Sequence, residues 1–154
     1  MHKQTDIKDD LGLILEQIKA LIEDEPDFLA NMANMSSVIY HGLTDINWAG
    51  FYLINNETLI LGPFQGLPAC TRIPLAKGVC GKAARTLEIQ NIRDVHQFEG
   101  HIACDSASNS ELVIPMVKDG KLIGVLDLDS IRFDRFSPDI QIAMANSVAL
   151  LLKK

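Results

Sequence analysis

The chain has 154 residues, 47% hydrophobic and 22% charged, with 14 basic and 20 acidic side chains for a net charge of −6. That length and balance suit one folded domain with a sizeable core and exclude a disordered chain. No apolar stretch approaches the roughly 20 residues of a spanning helix, so no membrane partner is expected, and without a basic block no nucleic-acid partner is expected either.

The N-terminus, Met1 to Asp6, lacks the apolar core and small-residue cleavage site of a secretory signal, so the expected location is cytoplasmic. Residues Leu11 to Ile22 carry apolar positions at helical spacing and predict an amphipathic helix. Pro26 suits the first turn of a second helix that runs through Phe28, Leu29, Met32 and Met35 to Tyr40, with Gly42 placed to end it. Asn47 to Ile54 is aromatic and branched, Asn55-Asn56-Glu57 reads as a turn, and Thr58 to Leu61 is extended again, which predicts a β-hairpin. Gly78 to Leu87 reads as a short helix opened by glycines, and Asp94 to Ser108 as a long loop, a setting that favours function. Glu111 to Val117 and Leu122 to Ser130 flank Asp119-Gly120 as a second hairpin, and Pro115 points to an edge position or a bulge. A last helix starts with Ser137 as cap and Pro138 at its first position, with an apolar stripe through Ile140, Ile142, Ala143, Val148 and Leu151. Terminal helices with hairpins between them predict one α+β domain over residues 1–154, an antiparallel sheet with the helices packed on one face.

Asp127 and Asp129 are two apart in a strand, so both carboxylates point away from the face of Leu126 and Leu128. They suit the solvated side of an edge strand, but their apolar neighbours favour a cavity. Two carboxylates in a cavity repel, so one becomes a proton source or the pair takes a cation such as a ligand ammonium group. Glu111, at the start of the preceding strand, can add a third acid across the hairpin.

The three cysteines all sit beside glycine, proline or polar residues rather than in apolar runs. An odd number in a reducing compartment does not suggest a structural disulfide framework. Cys70 and Cys104 fall in loops, Cys104 beside His101 and Asp105, and Cys80 falls at a helix N-terminus whose amides favour an anion. A zinc site from Cys70, Cys80, Cys104 and His101 is one alternative, although no closely paired ligands are present. A Cys-His hydrolase with Cys104 as nucleophile and His96 or His101 as base is another. Thiol redox chemistry accounts for all three cysteines at once.

The segments Trp48-Ala49-Gly50-Phe51-Tyr52, Leu61-Gly62-Pro63-Phe64-Gln65-Gly66, Gly78-Val79-Cys80-Gly81, Gly100-His101-Ile102-Ala103-Cys104-Asp105, Ser110-Glu111 and Val125-Leu126-Asp127-Leu128-Asp129-Ser130 together resemble the free methionine-(R)-sulfoxide reductases. They occur in the family's order and spacing from about residue 40 to residue 136; Glu99 departs from the pattern, where proline commonly precedes the Gly-His pair. The resemblance implies a GAF fold, with a ligand cavity on the sheet face opposite the terminal helices. It implies Cys104 as the catalytic cysteine, Cys70 as the main resolving one and Cys80 as an auxiliary partner. Trp48 would face the substrate's methyl end, Glu111 and Asp129 would hold its ammonium group, and Asp127 would assist the sulfoxide oxygen.

The activity so implied is reduction of free L-methionine-(R)-sulfoxide by sulfenic acid and disulfide chemistry, with thioredoxin as the reductant and no metal or organic cofactor. Preference for the R epimer rests wholly on the resemblance. The residues leave the oligomeric state open, a homodimer included. The rival reading is a GAF sensor that binds a cyclic nucleotide or another small molecule without turnover.

Overall fold

The structure is a computed structural model that describes residues 8–102, 104 and 107–153; the N-terminal segment read for targeting and Asp105 lie outside them. Side-chain caps set where the helices begin. Asp10 accepts from the Leu13 amide at 3.0 Å and opens α1, Leu11–Ile22. Asp27 accepts from the Ala30 amide at 2.8 Å and opens α2, Phe28–Gly42, so Pro26 stands just outside the first turn rather than within it. Each cap satisfies an amide that the helix itself leaves without a partner. Gly42 is the last helical residue and has no left-handed backbone; a Cβ there would meet Ile14 at 2.8 Å, so its role is close approach of α2 to α1.

The first hairpin joins β1, Ile46–Asn55, to β2, Thr58–Gly66, through Asn56 at φ 57°. The strand after Thr58 therefore runs five residues beyond the predicted Leu61. Two three-residue strands, β3 (Arg72–Pro74) and β4 (Gln90–Ile92), flank α3 (Gly78–Thr86) in the chain. The second hairpin, β5 (Ser110–Lys118) with β6 (Lys121–Ser130), turns on Asp119 and Gly120 at φ 53° and 75°. Positive φ at both central residues matches the twist of the strands they join. Ser137 caps α4, Pro138–Leu152, and Pro138 takes its first position as expected.

Among the described residues six strands form one sheet in the order β3-β2-β1-β6-β5-β4, antiparallel at every pairing. β4 pairs β5 only from Glu111 to Val113, so Pro115 lies where the outer side of β5 has no partner strand, and a bulge follows at Met116/Val117. Both features match what a residue without an amide proton requires.

Period-two alternation divides the buried residues between the two faces. Ala49, Phe51, Leu112, Ile114, Leu126 and Leu128 pack with α1, α2 and α4. Trp48, Tyr52, Val113 and Val125 pack on the opposite face with α3. In α4 the buried stripe runs through Ile140, Ala143, Met144, Ser147, Val148 and Leu151, while Ile142, predicted to be part of it, is 59% exposed. The three long helices thus seal one face and leave the other for α3 and the loops. Among the described residues no helix is long and apolar enough to cross a membrane.

Candidate functional site

The face covered by α3 carries two rows of side chains across β1, β6 and β5. Trp48, Asp129 and Glu111 are in register in one row; Gly50, Asp127 and Val113 form the next. Asp127 and Glu111 are only 5% and 6% exposed. β6 lies between β1 and β5, which overturns the solvated edge-strand alternative for its acids. Gly50 is small for a reason: a Cβ there would run into Phe64 of β2. Phe64 stacks on Trp48, with ring centroids 5.2 Å apart, and Tyr52 flanks the same indole at 5.8 Å.

α3 covers the acids, and Gly81 lets it lie close against the segment that precedes it, because a Cβ there would meet the Leu75 carbonyl at 2.8 Å. Cys80, the third residue of α3, is buried with Sγ 3.9 Å from Glu111 Oε2. Burial, then the charges of Asp127 and Glu111, push its thiol well above the usual range. The expected preference for an anion at this helix start is therefore reversed: low polarity and neighbouring carboxylates outweigh the amides, and the thiol stays protonated.

The same burial acts on the acids. Glu111 is pushed up to about 8 by desolvation and by Asp129 opposite it. Asp127 is raised well above the ordinary carboxyl value by desolvation and by Glu111. Burial thus favours the protonated form of both acids, the form able to donate a proton or a hydrogen bond. His101 Nε2 lies 3.5 Å from Glu111 Oε1. Desolvation lowers the imidazole, so this is a contact between neutral groups rather than an ion pair.

Two loops bring the other thiols to this face. After Gly66, at φ 129°, the chain turns away from the sheet and Leu67 to Thr71 arch beside Trp48 and Tyr52. The Trp48 indole donates to the Leu67 carbonyl at 3.2 Å, and the Tyr52 hydroxyl donates to the Cys70 carbonyl at 2.9 Å. These bonds fix the loop at both ends. Cys70 is joined by a disulfide to Cys104 in the loop before β5. Trp48, Cys80, Cys104, Glu111, Asp127 and Asp129 together line a cavity of about 40 Å³.

Most of the singled-out residues therefore converge: Cys80, Cys104, Trp48 and the three acids line one cavity, and Cys70 is bonded to Cys104. The four-ligand zinc alternative is not what the structure holds, because Cys70 and Cys104 are bonded to each other. His96 lies outside this cavity, exposed and 2.9 Å from Asn109 Oδ1, so it is not the base of a Cys-His pair here. Tyr52 was not singled out from the sequence, although its spacing from Trp48 places it on the same face.

A family model for the GAF domain matches residues 22–153. The free methionine-R-sulfoxide reductase of Escherichia coli K12 is 54% identical over 134 residues, covering 87% of this chain and 81% of that protein. The reduced form of fRMsr from Staphylococcus aureus superposes with a TM-score of 0.90 at 48% identity, covering 94% of each chain. The free methionine-R-sulfoxide reductase of Neisseria meningitidis, in complex with its substrate, gives a TM-score of 0.89 at 39% identity, covering 95% of this chain and 90% of that one.

Proposed function

The chain belongs to the free methionine-R-sulfoxide reductase family of GAF-domain proteins, and from that membership we propose that its cavity reduces free L-methionine-(R)-sulfoxide by a dithiol cycle. The observation that carries this reading is the Cys70–Cys104 disulfide at a cavity floored by Glu111, Asp127 and Asp129. The pair is the oxidised end of the cycle, and the acids are the receptor for a small zwitterion.

In the reduced enzyme the Cys104 thiolate attacks the sulfoxide sulfur. Asp127, whose protonated form its burial favours, donates to the sulfoxide oxygen as the sulfur–oxygen bond breaks. With a second proton from solvent the oxygen leaves as water; water then adds to the Cys104 sulfur as its new bond to the methionine sulfur breaks, releasing methionine and a proton and leaving a sulfenic acid on Cys104. The Cys70 thiol condenses with it, releasing water and forming the disulfide. Cys80 is an alternative thiol for this step. An external dithiol, thioredoxin in this proposal, then reduces the disulfide by exchange. The balance is one sulfoxide and one external dithiol consumed, with methionine, water and one external disulfide formed.

Binding uses the two rows of the sheet. Glu111 and Asp129 face each other in register and hold the α-ammonium group, and Glu111 gives up its proton as that charge arrives. The Trp48 indole, held parallel to Phe64, supplies an apolar wall for the methyl end. Separated R and S epimers of free methionine sulfoxide, assayed with a thioredoxin system, test the proposal. Turnover of the R epimer alone is expected; oxidation of no thiols by either epimer would leave only a ligand-binding role.

A further inference from the structure

The Cys104–Cys70 cycle closes without Cys80, yet Cys80 is buried against two of the acids. Its Sγ, a carboxyl oxygen of Glu111 and one of Asp127 all lie within 4.8 Å of one another. Zinc held by sulfur at about 2.3 Å and oxygen at about 2.0 Å puts tetrahedral sulfur and oxygen ligands about 3.5 Å apart. The Cys80 Sγ–Glu111 Oε2 separation of 3.9 Å is already close to that. Glu111 is divided between two neighbours: Oε1 faces His101 at 3.5 Å, and Oε2 is turned toward Cys80.

A second observation points to a ligand at the same place. Asp127 Oδ1 is buried and has no hydrogen-bond partner. Buried acceptors are almost always satisfied, and an oxygen left over on a residue that lines the cavity calls for a donor or a cation. The triad mixes one sulfur with two oxygens. Magnesium and calcium prefer oxygen alone, whereas zinc and its neighbours accept sulfur and oxygen together.

We propose that Cys80, Glu111 and Asp127 form a binding site for a thiophilic divalent cation of the zinc class, which displaces the protons of the thiol and carboxyl groups into solvent as it binds, and that the cation excludes the sulfoxide substrate while bound. Three protein ligands leave a fourth position for water, and the cavity of about 40 Å³ they line has room for both. The cation occupies the carboxyl groups that would otherwise meet the substrate. Only that exclusion rests on the proposed substrate site; the binding itself does not.

The disulfide-bonded protein isolates the test, because Cys80 is then its one free thiol. Titration with Co²⁺ is expected to produce a thiolate-to-cobalt charge-transfer band at one equivalent, displaced by Zn²⁺ and unaffected by Mg²⁺. Cys80→Ser removes the band, and Asp127→Asn weakens Co²⁺ binding by about tenfold or more. Zn²⁺ also raises the melting temperature of the wild type but not of Cys80→Ser, as a ligand of the native state must. No band with the wild type, or an unchanged band in Cys80→Ser, overturns the site. In the reduced enzyme Zn²⁺ should raise the apparent KM for the sulfoxide, with kcat unchanged, and Cys80→Ser should relieve that rise. An unaltered KM at Zn²⁺ concentrations that saturate the site overturns the exclusion. Absence of methionine release without any metal is instead a failure of the proposed reductase reaction.

Discussion

Cys70 and Cys104 are separated by 34 positions in the chain, yet their Cα atoms lie 5.5 Å apart and their sulfurs are bonded. In the proposed cycle the two thiols take different roles. Cys104 also lines the acidic cavity, whereas Cys70 sits in the arch fastened by Trp48 and Tyr52. Replacing Cys104 with serine should lower single-turnover methionine release at least about a thousandfold, the scale expected for loss of a nucleophile. Cys70→Ser should release one equivalent of methionine at close to the wild-type rate and then recycle slowly. Rapid-quench release of methionine checks both, and a fast first turnover in Cys104→Ser would identify another nucleophile.

The Tyr52 hydroxyl holds the Cys70 carbonyl at 2.9 Å from a side chain that is 2% exposed. Burial and the surrounding acids raise its titration, so it remains a neutral donor throughout the working range. Tyr52→Phe removes that donor and leaves the ring packing on Trp48. The loss should cost about 1 kcal/mol of stability. It should also slow disulfide closure after the first turnover while methionine release is little changed. Thiol counting over time, beside a denaturant melt, separates the two effects; closure at the wild-type rate would show that the bond does not position Cys70.

Much of this site is legible in the sequence, and the unreadable parts share a cause. Period-two alternation places Asp127 and Asp129 opposite Leu126 and Leu128, and the same rule puts Tyr52 on the Trp48 face. β3 and β4 have three residues each, too few to show any period. Cys80 could be assigned to a helix start from its flanking glycines. The reversal of its charge preference comes from Glu111 and Asp127, some thirty and more positions later, and local sequence carries no trace of that meeting. Ile142 fits the apolar stripe by spacing, but α4 turns Met144 and Ser147 inward instead. The disulfide pairing was available only through family resemblance, since three cysteines permit more than one pair.

Glu111 makes stability depend on pH in a defined direction. Its carboxyl rises from an ordinary 4.5 to about 8 in the folded protein. The folded state therefore binds this proton more tightly than the unfolded chain does. The contribution is fully present below pH 4.5 and is lost as pH rises through about 8. Glu111→Gln should flatten the fall in stability across that window. Denaturant midpoints at pH 5 and pH 8 for the two proteins check it, and an equal fall in both would assign the slope to other groups.

The same proton bears on substrate choice. In the proposed reaction a free amino acid brings an ammonium group to Glu111 and Asp129, which stand opposite each other across β5 and β6. An N-acetylated sulfoxide, like a residue within a peptide, brings none. Removing one partner of a buried charge pair costs about 3–5 kcal/mol, so kcat/KM for the acetylated compound should fall more than about a hundredfold. Binding of the free amino acid at pH 7 should also release a proton, because Glu111, with its carboxyl near 8, ionises when the ammonium group arrives. Calorimetry in buffers of different ionisation enthalpy, with the Cys104→Ser protein to prevent turnover, counts that proton directly. Glu111→Gln should abolish the release and narrow the discrimination between the free and acetylated compounds. Equal turnover of the two by the wild type would remove the acids from substrate selection, whatever the thiols do.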